Sequence, residues 1–73
     1  MPPLPIISGR ECLAALAKVG YQVARQRGSH VRLTAPDRKP VTVPLHATLD
    51  RGTLRAIVRA AGLSVEEFVG LLA

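Results

Sequence analysis

The chain has 73 residues, 48% of them hydrophobic, and its 10 Lys and Arg against 5 Asp and Glu give a net charge of +5. That length supports one domain, residues 1–73, with one small core, and the apolar content argues against a disordered chain. The single Cys12 excludes an intramolecular disulfide and a cysteine metal site, while two aromatic residues leave Leu, Val, Ile and Ala to fill the core.

Residues 1–7 hold three prolines and read as an extended lead-in. They lack the basic region and long apolar core of a secretory signal, and no apolar run approaches the ~20 residues of a membrane span. The expectation is a cytoplasmic protein without membrane contact. Ser8 and Glu11 then form a capping box that opens a first helix. Leu13, Leu16, Ala17 and Gly20 follow the spacing of one helical face, with Cys12 at its edge as a small buried hydrophobe. Gly20 is a fitting stop, because glycine accepts the left-handed conformation there.

Tyr21 to Gln26 reads as a strand, Gly28-Ser29 as a turn or bulge, and His30 to Ala35 as a second strand. Pro36 to Lys39 reads as a reverse turn, and Val41, Val43 and Leu45 alternate along a third strand over Pro40 to Leu45. Pro44 lacks an N–H and suits a sheet edge. After a loop over 46–52, Leu54, Ile57, Val58 and Ala61 make the apolar face of a second helix that ends at Gly62. Ser64 and Glu67 cap a last short helix with Val65, Phe68, Val69 and Leu72 inward. The fold class is α+β, in the order α-β-β-β-α-α: a three-stranded antiparallel sheet with helices on one face and the other face open.

Strand alternation selects what the open face carries. Burying Val31, Leu33, Val41, Val43 and Leu45 leaves His30, Arg32 and Thr42 outward, with His46 at the same parity. A hairpin centred near Arg38 pairs Leu33 with Val43 and sets His30 opposite His46, which makes His46 a candidate helper. The first strand is inconsistent as a simple strand. Tyr21 and Val23 share parity with Arg25 and Arg27, and a bulge near the turn resolves the conflict. On the second helix, Arg51, Arg55 and Arg59 align along one side, as a solvated face, a phosphate track or a docking stripe for an acidic partner.

Eight of the ten basic residues are arginine, whose planar fork matches phosphate. Such a surface suits nucleic acid, an acidic protein, or both. A histidine among arginines has the chemistry to cleave RNA without a metal. The substrate brings its own nucleophile, the 2′-hydroxyl; the imidazole moves a proton, and guanidiniums bind the phosphate and stabilise the charge that develops on it. His30 is the candidate acid/base, and Arg25, Arg27, Ser29, Arg32, Arg55 and Arg59 are candidate RNA contacts. His46 and Asp50 make a weak metal pair with no third ligand. No cofactor motif is present, and no aromatic platform for stacking single strands.

Four segments, Ser8-Gly9-Arg10-Glu11, Arg25-Gln26-Arg27-Gly28-Ser29-His30, Val43-Pro44-Leu45-His46, and Gly52 through Leu63, stand in an order and spacing that resembles the HicA toxin family. The likeness runs from about Ser8 to the end. It implies a double-stranded-RNA-binding-like fold and a metal-independent mRNA interferase, the toxin of a type II toxin–antitoxin system, with the histidine of Gly-Ser-His, here His30, as the catalytic residue. It also implies a HicB-type antitoxin that covers the active site within a hetero-oligomer. Leu33 stands where many members have an aromatic residue, and the proline-rich start is unusual. Two other readings stay open: a non-catalytic double-stranded-RNA-binding module using the same basic face, and a protein-interaction domain built to dock an acidic partner.

Overall fold

The computed structural model describes residues 3–73; Met1 and Pro2 of the lead-in lie outside the described residues. The elements are α1 (Gly9–Ala17), β1 (Gln22–Arg27), β2 (His30–Ala35), β3 (Arg38–Pro44), α2 (Arg51–Ala60) and α3 (Val65–Leu71). The strands form one antiparallel sheet in the order β1-β2-β3. This is the expected α-β-β-β-α-α arrangement, and Pro44 does lie on an edge strand.

Helix caps written in the sequence are all formed. The Ser8 hydroxyl accepts from the Glu11 N–H at 3.1 Å while the Glu11 carboxylate accepts from the Ser8 N–H at 3.0 Å. Ser64 and Glu67 repeat the pair on α3. Asp50 caps α2 by accepting from the Thr53 N–H at 2.8 Å, which starts that helix at Arg51, inside the segment expected to be loop. Each such cap contributes about 1 kcal/mol.

Both longer helices end on glycines with positive φ. Gly20, at φ 98°, donates its N–H to Ala17, and Tyr21 donates to Leu16. Gly62, at φ 75°, donates to Arg59, and Leu63 donates to Val58. These paired bonds are the Schellman motif, which turns the chain sharply and satisfies carbonyls left over at the helix end.

The core gathers Val31, Leu33, Val41 and Val43 from one face of the sheet with Cys12, Ala15 and Leu16 of α1, Leu54, Ile57 and Val58 of α2, and Phe68 of α3. The face of α1 is rolled relative to expectation. Gly9, Cys12, Ala15 and Leu16 are buried, Leu13 is half-buried and Ala17 is exposed. Gly9 explains the roll: its N–H donates to the His46 carbonyl at 2.9 Å, and a Cβ there would collide with the Pro44 carbonyl oxygen. The start of α1 therefore lies directly on the end of β3. Cys12 sits at the centre of the buried face rather than at its edge.

The lead-in is part of the core rather than an appendage. Leu4 and Ile7 are buried, and the Ile7 carbonyl accepts from the Leu49 N–H at 2.8 Å. β1, in contrast, overhangs the helices. All six of its residues are exposed, and Val23, on the side that faces the helix layer, is 59% exposed. Among the described residues no helix is long and apolar enough to cross a membrane.

The β2–β3 register differs by two residues from expectation. Leu33 pairs with Val41 and His30 with Pro44. The connection is the two-residue turn Pro36-Asp37, with Asp37 at φ 63°, in place of a turn centred near Arg38. Aspartate tolerates the left-handed region, so the hairpin closes one step earlier. An irregularity between Leu33 and Ala35 sets the Ala35–Arg38 pair one residue off this register; from Leu33 to His30 the shift of two preserves parity, so the inward and outward faces are those expected.

Candidate functional site

The site begins with the bulge in β1. Val23 pairs with Leu33 and Arg25 with Arg32, leaving Ala24 between them without a partner. One inserted residue reverses the parity of every later position on the strand. Upstream, Tyr21 stays buried and its hydroxyl donates to the Lys39 carbonyl at 2.7 Å. Downstream, Arg25 and Arg27 come to the open face. The conflict noted in the first strand is resolved by a bulge in the middle of the strand rather than beside the turn.

The tight turn Gly28-Ser29 then sets Arg27 directly across from His30. Gly28 takes φ 59°, a conformation glycine adopts without strain, and its carbonyl accepts from the Gln26 side chain at 3.0 Å. On the far side of β2, Arg32 pairs with Thr42, and its guanidinium donates to the Thr42 hydroxyl at 3.1 Å. Arg25, Arg27, His30, Arg32 and Thr42 together line an open cavity of about 260 Å³. One imidazole thus shares a shallow basin with three guanidiniums, and no carboxylate lines it.

Thr42 is the residue the sequence placed on this face without giving it a role. Its signal was parity alone, whereas its use depends on the register that brings it beside Arg32. Ser29 lies in the turn next to His30. Its carbonyl accepts from the Leu45 N–H at 2.7 Å and ties down the end of β3, but its side chain does not line the basin.

Three further candidates lie elsewhere. His46 is exposed beyond the end of β3 and is absent from the basin; the register that set it opposite His30 is replaced by the His30–Pro44 pair. Its neighbour is Asp50, whose carboxyl is held below the ordinary range first by the Thr53 N–H, then by the Thr53 hydroxyl, with His46 a smaller contributor. Arg55 and Arg59 are exposed on α2 and line a different cavity, with Val58, Leu63, Ser64 and Val65. Among the described residues, the arginine side chains that donate hydrogen bonds are Arg32 and Arg38, the latter to the Ala61 carbonyl at the end of α2 at 2.6 Å. Arg25 and Arg27 therefore have their full donor sets available to a ligand.

Among the described residues no three His, Cys, Asp or Glu side chains cluster where they could share a metal ion. Cys12 is fully buried, and burial pushes its thiol up to about 12, so it is a neutral packing group at physiological pH.

The basin offers three guanidiniums and one imidazole to an anion. Guanidinium forks bind phosphate oxygens in pairs, and an imidazole has the chemistry to move a proton. No curated protein matches the chain significantly. A chain of a structure described as "Toxin-Antitoxin complex from Streptococcus pneumoniae" matches with a TM-score of 0.68 and 31% identity, over 78% of this chain and 98% of that one. The family model described as "HicA toxin of bacterial toxin-antitoxin" matches residues 9–63, from the glycine that seats α1 on β3 to the leucine that follows the α2 cap. The chain belongs to the HicA toxin family.

Proposed function

We propose that this toxin is a metal-independent endoribonuclease that cleaves mRNA at the basin around His30 and is neutralised by a HicB-type antitoxin. The observation that carries this reading is the cross-strand pairing of Arg27 with His30 and of Arg25 with Arg32, which gathers three guanidiniums about one imidazole on an exposed sheet face. RNA lies against that face with a backbone phosphate held by Arg25, Arg27 and Arg32. His30 takes the proton of the 2′-hydroxyl as its oxygen attacks phosphorus in line. A bond forms between the 2′-oxygen and phosphorus, the bond to the 5′-oxygen breaks, and the leaving oxygen takes up that proton from the His30 imidazolium. The products are a 2′,3′-cyclic phosphate and a 5′-hydroxyl. The cations offset the extra negative charge carried by the five-coordinate transition state. Ser29 and Thr42 support this arrangement from either side of His30, one by fixing the turn and the other by holding Arg32.

One observation favours a second reading. The basin contains a single imidazole and no second acid/base side chain, which also suits a face that holds RNA without cutting it. The test is incubation of the protein with labelled RNA in EDTA beside a His30→Ala variant. Cleavage by the wild type and a loss of about 10²-fold or more in the variant is the expected result, the usual scale for removing an acid/base group. Salt-sensitive binding of RNA by a folded wild type, with no fragments, would establish the binding module instead.

A further inference from the structure

We propose that the groove between α2 and α3 is a docking site for an acidic segment of the antitoxin, one that inserts an apolar anchor residue between Arg55 and Arg59. The inference rests on the antitoxin partnership of this toxin family and does not depend on the chemistry at His30.

The groove is built by the cap that ends α2. The Leu63 N–H donates to the Val58 carbonyl at 3.1 Å and the Gly62 N–H to the Arg59 carbonyl at 3.0 Å, which folds Leu63 back beside Val58. The Ser64–Glu67 capping box then fixes the direction in which α3 leaves. Val58, Leu63 and Val65 make an apolar floor, and Leu63 and Val65 are only half-buried. The cavity measures about 350 Å³. Arg55 and Arg59 stand on its α2 side one helical turn apart, both exposed, and Arg51 continues the row a turn earlier. Neither Arg55 nor Arg59 donates a hydrogen bond within the described residues, where the arginine donors are Arg32 and Arg38.

Apolar floor and basic rim call for opposite properties in one ligand. A nucleic-acid backbone satisfies the arginines and leaves the floor in contact with water or phosphate, with no gain from covering it. A peptide segment carrying a Leu, Ile, Val or Met between Asp or Glu residues satisfies both, as an apolar anchor ringed by charge pairs. The groove also belongs to the helix layer, and none of its lining residues lines the His30 basin. A partner seated there holds the toxin by a surface separate from the one that meets RNA. The sequence offered the α2 arginines as a solvated face, a phosphate track or an acidic-partner stripe; the apolar floor beside them favours the third.

The test measures two affinities for the wild type and for a variant carrying Arg55→Glu and Arg59→Glu. One is for the antitoxin purified from the toxin–antitoxin complex, the other for a single-stranded RNA. Both positions are exposed, so circular dichroism is expected to show an unchanged fold. Antitoxin affinity is expected to fall at least tenfold and RNA affinity to stay within threefold. A second variant, Leu63→Asn, removes floor without touching charge and is expected to weaken the antitoxin and spare RNA in the same way. Loss of RNA affinity with antitoxin binding intact would overturn the proposal in favour of a phosphate track. No change in either would overturn it in favour of a solvated face. Neither readout requires RNA cleavage, so a failure of the ribonuclease reading leaves this test standing.

Discussion

At the scale of single residues, His30 differs from His46 in what surrounds it. Both lie on or near the open face by parity, and sequence alone made them partners. The structure gives His30 three arginines and gives His46 a backbone contact with Gly9 and a carboxylate neighbour at Asp50. An imidazole that does not reach the bound phosphate cannot move a proton there. His46→Ala is therefore expected to keep RNA cleavage within about threefold of wild type, a small loss beside the 10²-fold or more expected for removing an acid/base group. Equal, large losses in His30→Ala and His46→Ala, measured as single-turnover rates on the same RNA, would require the two rings to act on one phosphate.

At the scale of elements, the site depends on two local departures from regular structure. The first is the unpaired Ala24, which lets β1 bury Tyr21 at one end and present Arg25 and Arg27 at the other. The second is the seat of α1 on β3 at Gly9. Gly9→Ala drives a methyl group into the Pro44 carbonyl, where the obstacle is backbone and cannot rotate away. Destabilisation of about 1–3 kcal/mol is expected, the range for forced overpacking, read as a lower urea midpoint. The caps carry a pH signature. The Thr53 bonds hold Asp50 below its unfolded value, so its contribution is present above the ordinary carboxylate range and is lost as pH falls through its lowered folded value. Asp50→Asn keeps a capping side chain that does not titrate. Its urea midpoint is expected to fall less steeply than wild type between pH 5 and pH 2, as about the reference carboxylate range is crossed. The two Ser–Glu capping boxes, the glycine helix stops and the parity of β2 and β3 were legible because each depends on residues within four positions of one another; the Asp50 cap was not. The β2–β3 register, the bulge and the roll of α1 were not. They are decided by Asp37 accepting a left-handed turn, by the anchoring of Tyr21 on Lys39, and by Gly9 meeting Pro44, and the last two are contacts between residues far apart in the chain.

At the scale of the whole molecule, six of the ten Lys and Arg side chains gather on two surfaces. One is the sheet face around His30, and the other is the row of arginines on α2 beside an apolar groove. The sheet separates them because its inward side chains are the core, while both outer surfaces are left to ligands. That division gives the proposed RNA face and the proposed antitoxin groove separate surfaces on one small chain. The order of elements and the open face were legible from the sequence; the separation of the two basic surfaces required the packing. The central claim, that the His30 basin cuts RNA through the substrate's own 2′-hydroxyl, is tested most directly with two substrates of identical sequence. One is unmodified single-stranded RNA and the other is 2′-O-methylated throughout, each incubated in EDTA with wild type and with His30→Ala. Attack by the 2′-oxygen predicts fragments ending in 2′,3′-cyclic phosphate from the unmodified strand with the wild type, and intact strands in the other three reactions. Cleavage of the methylated strand, wild-type rates from His30→Ala, or an intact RNA with a folded wild type would contradict it.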